Sequence, residues 1–514
     1  MSMTWLANAD RDTFWAHCTW NDFAKLAGKD RALAILPVHG FADHGLGLPL
    51  DAEEVVCSAV LRRSTELVKT AIICRVLPPV RFGLAPYPSS FFGVDAETAH
   101  GFLVELAASV KAAGFHKLVF FNTSPWNKEL VDSTSLDIRV ALGLQTFIVN
   151  SGGLGLDFHP ASATRAKVQA AASHLLLKPV ITSNRSAEIA DAEFRPGCYR
   201  QPAPLAPDQA IDGEAVLTAA GACLAKLLAE IQARAPIGRS DPLEPVVVPN
   251  LSNSVNDTVF PQIFRSHYLP ALTRDELEAV PNKDRALVII PTGAIEQHGH
   301  HLPVGVDAIL GQAWLENIFP RLKSDAVVYV APPLTYGKSN EHSTFPGTLS
   351  ISASTLRRLL LATATQLRAL GFRQIAVLNT HGGNSAVVVY TLREIQTTLG
   401  LRAGLLGWPY KPEQTPQEAA YGFHAGEAET SLMLAVADEL VDMTKAVCEY
   451  PAQLTDPGKL RPEAAPAIFS WATEDVSSSG VMGDATAATF EKGRLWLAAQ
   501  SAALALRIEA LLGT

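Results

Sequence analysis

The stretch GAIEQHGHHLPVGVDAIL, residues 293–310, sets three histidines, a glutamate and an aspartate within a dozen positions. Two later segments carry the same kinds of group: NTHGGN at 379–384, with His381, and FHAGEAETSLMLAV at 423–436, with His424, Glu427 and Glu429. Imidazole mixed with carboxylate suits a divalent ion such as zinc or manganese, because both are hard to borderline donors. An aspartate among them, Asp307, can give one oxygen to each of two ions. Two cations lower the pKa of a water held between them, so hydroxide becomes available near neutral pH. A single histidine after a strand is most often structural. Two separate histidine-bearing strand ends with acids close by favour a metal. Taken alone, the acids of HAGEAETS fit a plain helix start, where the helix dipole favours negative charge. His424, just upstream, reads as a general acid/base or a capping residue.

These groups need elements to position them. ALVIIP (286–291), VVYVAP (327–332), QIAVLN (374–379) and AGLLGW (403–408) are short apolar runs of the kind buried on both faces of a parallel sheet. Between them, STLRRLLLATATQLRALG and VVVYTLREIQTTLG show apolar spacing of helical period and end at glycine. Alternating strands and helices imply a mainly parallel, helix-covered sheet, and such sheets build sites at the carboxyl ends of their strands. IEQHGHH and THGGN each follow a predicted strand, and Trp408 closes a third. Glu296, His298 and Asp307 are expected in one loop, with His381 in a second.

The chain also repeats itself. KDRAL occurs at 29–33 and at 283–287, and the same offset of 254 carries Pro37 onto Pro291, His44 onto His298 and Leu48-Pro49 onto Leu302-Pro303. Three more residues of offset align GFHKLVFFNTSPWN (114–127) with GFRQIAVLNTHGGN (371–384). Internal self-similarity at a long period reads as tandem duplication. The expected organisation is a first domain over 1–235, a Pro/Ser/Asn-rich linker over 236–258 and a second domain over 259–514. Alignment puts Ala42 at Glu296, His44 at His298, Glu53 at Asp307, Ser124 at His381 and Ser162 at Glu427. One histidine and one acid survive, too few for a metal pair, so the first half is expected to be a degenerate copy.

Composition narrows the class. A chain of 514 residues, 48% hydrophobic and 18% charged, describes a globular protein of two or three cores. A net charge of -9 and a pI near 5.9 leave no basic footprint for nucleic acid or an anionic membrane. The six cysteines are scattered without a CxxC pair, which argues against zinc knuckles and disulfide scaffolds. The start, MSMTWLANADRDTFW, shows no basic segment followed by an apolar one, so no secretory leader is expected. LWLAAQSAALALRIEALL contains charges and reads as a core helix rather than a membrane span. Cytoplasmic residence is the expectation.

EQHGHHLP followed by Asp307, then NTHGGN, HAGEAETS and GVMGDATAATFEKG (480–493), resembles in order and spacing the creatininase family of metal-dependent amidohydrolases. The likeness spans roughly 270–510, and the first half follows it more faintly. It implies an α/β chain of two tandem three-layer αβα domains with mainly parallel sheets. It further implies a binuclear centre of zinc and/or manganese, with iron a further option, in the second half. By resemblance Glu296, His298, Asp307 and His381 are ligands, with Asp307 bridging and His424 catalytic. The family's carboxylate two residues after the second-loop histidine is missing here, where Gly383 stands, and Glu427 is taken as its replacement, with Glu429 behind it. Trp408, Glu341, His342, Gly383 and Asn384 are expected to contact substrate. Gly382 and Ala420 stand where creatininase carries bulky aromatics, implying a wider pocket. The implied reaction is hydrolysis of a non-peptide amide, a lactam or other cyclic amide, by a metal-bridging hydroxide. The alternatives are formamide deformylation, peptide cleavage, or a non-catalytic scaffold. The implied partners are a small-molecule amide and further copies of the chain in a homo-oligomer, whose neighbour's surface the fused first half could supply.

Overall fold

A computed structural model describes residues 11–84, 90–159, 162–176, 211–235, 265–451 and 470–513. The expected linker over 236–258 lies outside the described residues, as does Cys198; the five described cysteines are free thiols.

Each half holds a parallel sheet. In the first, strands β1 (Leu33–His39), β2 (Cys74–Val76), β3 (Lys117–Asn122) and β4 (Gln145–Asn150) lie in the order β2-β1-β3-β4, with Val80–Arg81 pairing the end of β1. In the second, β5 (Leu287–Thr292), β6 (Val328–Val330), β7 (Gln374–Asn379) and β8 (Arg402–Leu406) lie in the order β8-β7-β5-β6. The two orders correspond strand for strand, and so does the register. Leu33 pairs with Cys74 as Leu287 pairs with Val328, each 254 positions on. All six residues of β5 and of β7 are buried, as their unbroken apolar sequence predicts for strands covered on both faces.

The covering helices follow their local signals. Ser352 caps the helix Ala353–Ala369 by accepting from Thr355 N–H, and Gly371, at φ +102°, takes the chain away from it. The next predicted helix runs over Ser385–Glu394, widens into a π-turn over Ile395–Leu399 and stops at Gly400, φ +64°. The C-terminal helix Phe490–Leu512 is the one described helix long and apolar enough to cross a membrane by length and composition. It packs on the helices Val306–Ile318 and Glu427–Ala437 and buries Trp496, Leu497, Leu504 and Ile508.

The two halves share one buried apolar cluster and meet through a pseudo-two-fold pattern. Leu50 N–H donates to the Leu272 carbonyl at 3.0 Å, and Val304 N–H donates to the Cys18 carbonyl at 2.8 Å. Asp51 to Pro270 (2.9 Å) and Gly305 to Ala16 (3.0 Å) repeat the arrangement. The 254-residue shift turns each bond of a pair into the other with the halves exchanged, which is how an isologous dimer contact reads when both copies lie on one chain. Near the axis, Arg81 donates to Thr335 Oγ1 at 3.2 Å, and these two positions correspond under the same shift.

Candidate metal centre

Glu296 and His298 sit in the loop after β5, where the chain turns with Gly299 at φ +71°. Asp307 departs from the expected loop position: it is the second residue of the helix Val306–Ile318, in a first turn whose dipole favours its charge. His381 follows β7, as expected. Glu427 and Glu429 both fall in the first turn of Glu427–Ala437. Residues two apart on a helix point roughly 200° apart, so only one of the pair can face the sheet end.

That one is Glu429. Three groups of donors result: Glu296, Asp307 and His381; His298, Asp307 and Glu429; and Glu296, His298 and His424, the donor atoms of each group within 4.8 Å of one another. Asp307 belongs to the first two and links them. Glu427, expected as a ligand, lies in none of the three groups: its carboxylate meets Lys492 Nζ, with Gln414 Nε2 donating at 3.3 Å. His300 and His301 stay outside all three groups; His300 lies against Trp20, and His301 Nε2 meets Thr430 Oγ1 at 2.8 Å.

The ring nitrogens are sorted for metal binding. His298 Nδ1–H donates to the Glu296 carbonyl at 3.0 Å, leaving Nε2 bare toward Asp307 (3.7 Å) and Glu429 (3.8 Å). His381 Nε2–H donates to the Lys338 carbonyl at 3.0 Å, leaving Nδ1 toward Glu296 (3.1 Å) and Asp307 (3.5 Å). Glu296 Oε2, His298 Nε2 and Asp307 Oδ2 are buried without a hydrogen-bond partner among the described residues. Converging orphan atoms on buried charges are the kind of donors a cation compensates, and their types suit divalent cations such as zinc or manganese.

Electrostatics express the same demand. Burial and the adjacent Glu296 push Asp307 well above the usual carboxylate range. Burial opposes charge on Glu296 too, yet His342, His381 and His424 hold it well below that range. Burial likewise opposes charge on His381, but Glu296, Asp307 and Glu341 outweigh it and hold the ring up to about 10. Neighbouring titratable groups driven apart in this way mark a functional site.

His424 stands over this cluster. Its Nε2–H donates to the Gln297 carbonyl at 2.8 Å, which leaves Nδ1 facing Glu296 Oε1 at 3.8 Å. Ala425, held at φ +53°, turns the chain from His424 into the Glu429 helix, and its N–H donates to Glu429 at 2.5 Å. His342 stacks on His424 with ring centres 4.4 Å apart and reaches Glu296 at 3.5 Å; burial pushes it down to about 3.

The residues expected to contact substrate separate. Asn384 is fully buried, accepting from Lys338 N–H and donating to the Gly293 carbonyl, both at 2.9 Å, so it ties strand ends together. Trp408, partly exposed, lies beyond the end of β8 and meets Trp314 edge to face at 4.8 Å. Glu341 sits behind His381, 3.8 Å from Nε2, beside Gly383. Gln297 was not singled out from the sequence. Fully buried, it accepts from Gly299 N–H, donates to the Gly480 carbonyl and to His342 Nδ1, and its backbone carbonyl takes the His424 Nε2–H. Its signal was an amide lodged between two ligand-type residues of a buried loop, which has to find partners.

The first half holds no such set: among the described residues, all groups able to hold an ion lie in the second half. His44 Nε2 pairs instead with Glu53 Oε1 at 3.3 Å, and Gly40 N–H donates to Glu53 at 2.7 Å. Ser162 bonds Thr164 Oγ1 at 3.0 Å. The first half does reach the live site's surroundings. Phe23 lies over Gly347, Trp15 Nε1–H donates to the Gly347 carbonyl at 2.8 Å, and Trp20 packs on His300 and Phe345.

The family model of creatininase, creatinine amidohydrolase, matches residues 16–178 and again 270–508. The chain belongs to the creatininase family. Its members are hydrolytic enzymes acting on C–N bonds, and this chain is a creatininase-family amidohydrolase. Similar proteins include a mycofactocin precursor peptide peptidase of Mycolicibacterium smegmatis, 34% identical over 209 residues, covering 40% of this chain and 78% of that protein. A creatinine amidohydrolase of Pseudomonas putida is 31% identical over 256 residues, covering 45% and 92%. A 3-dehydro-scyllo-inosose hydrolase of Thermotoga maritima is 28% identical, covering 40% and 72%. Among solved structures, one titled creatininase Mn aligns with 28% identity and a TM-score of 0.40, covering 48% of this chain and 98% of that one.

Proposed function

We propose that residues 259–514 form a two-metal amidohydrolase domain opening the C–N bond of a small non-peptide amide, a lactam or other cyclic amide. Residues 1–235 are then a metal-free copy and 236–258 their linker. The observation that carries the reading is the set of orphaned, buried atoms Glu296 Oε2, His298 Nε2 and Asp307 Oδ2, converging with His381 and Glu429. Glu296, Asp307 and His381 would hold one ion; His298, Asp307 and Glu429 would hold the other. Such a pair supplies Lewis acidity and a water of lowered pKa.

The protein's own groups do the rest. His424, with Nδ1 bare and Nε2 anchored on Gln297, is placed to carry a proton to the leaving nitrogen. The Gln297 backbone carbonyl and the His342 ring hold that ring in orientation. The first half contributes the surface that a neighbouring subunit would otherwise bring, through Trp15, Trp20 and Phe23.

A second reading, cleavage of a peptide, is favoured by the 34% identity to a relative named as a peptide peptidase and by Gly382 and Ala420 where creatininase carries aromatics. Purified enzyme assayed on cyclic amides, imides, formamides and short peptides, with elemental analysis beside it, tests both. The expected content is two ions per chain, lost together with turnover in Glu296→Gln and His381→Ala. Zero ions in the wild type would point to a scaffold, four would overturn the reading of the first half, and full turnover after chelation would overturn the mechanism.

A further inference from the structure

Glu341 belongs to the loop that runs from Lys338 to Ser350 and reaches the metal centre from behind. Its Oε2 is held by Lys338 Nζ at 3.2 Å, and its Oε1 lies 3.8 Å from His381 Nε2, the nitrogen turned away from Glu296 and Asp307. The same nitrogen meets the Lys338 carbonyl at 3.0 Å and Ser339 Oγ at 3.2 Å. Gly383 explains how the carboxylate fits. A Cβ at position 383 would overlap Glu341 Oε1 and crowd His381 Nε2 and the Lys338 carbonyl, all backed against that one face. A side chain at 383 and the Glu341 carboxylate are therefore mutually exclusive occupants of one space.

We infer that Glu341 is a positioning residue for His381, acting on the metal through that ring rather than touching substrate, and that Gly383 is the opening that admits it. The Lys338 carbonyl takes the distal N–H and fixes the proton there, while the negative charge of Glu341 at 3.8 Å favours that orientation of the ring and makes Nδ1 a stronger donor. The inference rests on the two-metal reading of the centre.

The test is competitive titration of zinc or manganese against a chelator, with kcat and KM measured on the same preparations. Glu341→Gln should weaken one of the two ions by about 10–100-fold while leaving the other and KM nearly unchanged. Glu341→Asp should recover part of the loss. Glu341→Ala, which removes the carboxylate without placing an atom against His381 Nε2 or the Lys338 carbonyl, should reproduce it. A raised KM with unchanged metal affinity would overturn the inference in favour of substrate contact. A wild-type chain that binds no metal would overturn the two-metal reading and this one with it. If Glu341→Gln fails to fold, Glu341→Asp and Glu341→Ala carry the same comparison, and unchanged metal affinity in both overturns the inference.

Discussion

Glu429 and Glu427 are two residues apart, equally acidic and in the same helical turn, yet the structure gives them opposite fates. Glutamine at each separates those fates. The donor atoms of His298, Asp307 and Glu429 lie within 4.8 Å of one another, so Asp307 and Glu429, both charged, would repel by about 3.5 kcal/mol at an effective dielectric near 20. Burial and the nearby acids already push both carboxyls upward, so one of them takes a proton and part of that cost is avoided. Glu429→Gln should then stabilise the metal-free protein by about 1–2 kcal/mol while removing one of two ions and collapsing turnover. Glu427 is bonded to Lys492, which is 39% exposed, so breaking that pair costs about 1 kcal/mol or less and should leave both ions in place. Urea unfolding of chelator-treated protein gives the first quantity, elemental analysis the second. Two ions retained in Glu429→Gln, with one lost in Glu427→Gln, would refute the assignment.

Three further outcomes are expected. His424→Asn should lower kcat by about 10²–10⁴-fold with metal content unchanged, because the ring moves a proton and the two donor sets that share Asp307 are complete without it; loss of metal in that variant would make His424 a ligand instead. Phe23→Ala, emptying a buried site packed 4.4 Å from Trp15 and set over Gly347, should cost about 3–5 kcal/mol in thermal unfolding and also lower turnover, since it loosens the loop carrying Glu341 and His342; unaltered turnover would show the halves to be functionally independent. His39 is buried with Arg81 near it and is pushed down to about 3, so between pH 6.5 and 3 the unfolded chain binds a proton that the folded chain refuses. Stability from this group is therefore full above pH 6.5 and lost as pH falls, at about 1.4 kcal/mol per unit; His39→Asn should flatten the urea-unfolding profile between pH 6.5 and 5 by about 2 kcal/mol.

The strands, their order of use and the residues at their carboxyl ends were legible in the chain because buried parallel strands write themselves as unbroken apolar runs. Four predicted runs in the second half match β5 to β8 within a few residues. The repeat was legible too, since a shift of 254 leaves both sheet register and the pairing of the halves intact. Glu296, His298, His381 and the loss of their counterparts in the first half follow from sequence position alone, because each stands directly after a strand.

What tertiary structure alone decided is which of several eligible side chains turns inward. Glu427 and Glu429 are indistinguishable by type and turn, and the choice rests on the rotation of one helix against the sheet end, which no local pattern encodes. Asp307 reads as loop until the fold starts a helix at Val306. Asn384 reads as a substrate contact and Gln297 is not singled out; Asn384 becomes a strand tie and the Gln297 side chain a partner of His342 and Gly480, because burial obliges each amide to find partners wherever the fold brings them. Gly383 looked like a missing carboxylate in the sequence. In three dimensions it is the space filled by Glu341, forty-two residues earlier in the chain, and only packing could bring the two together.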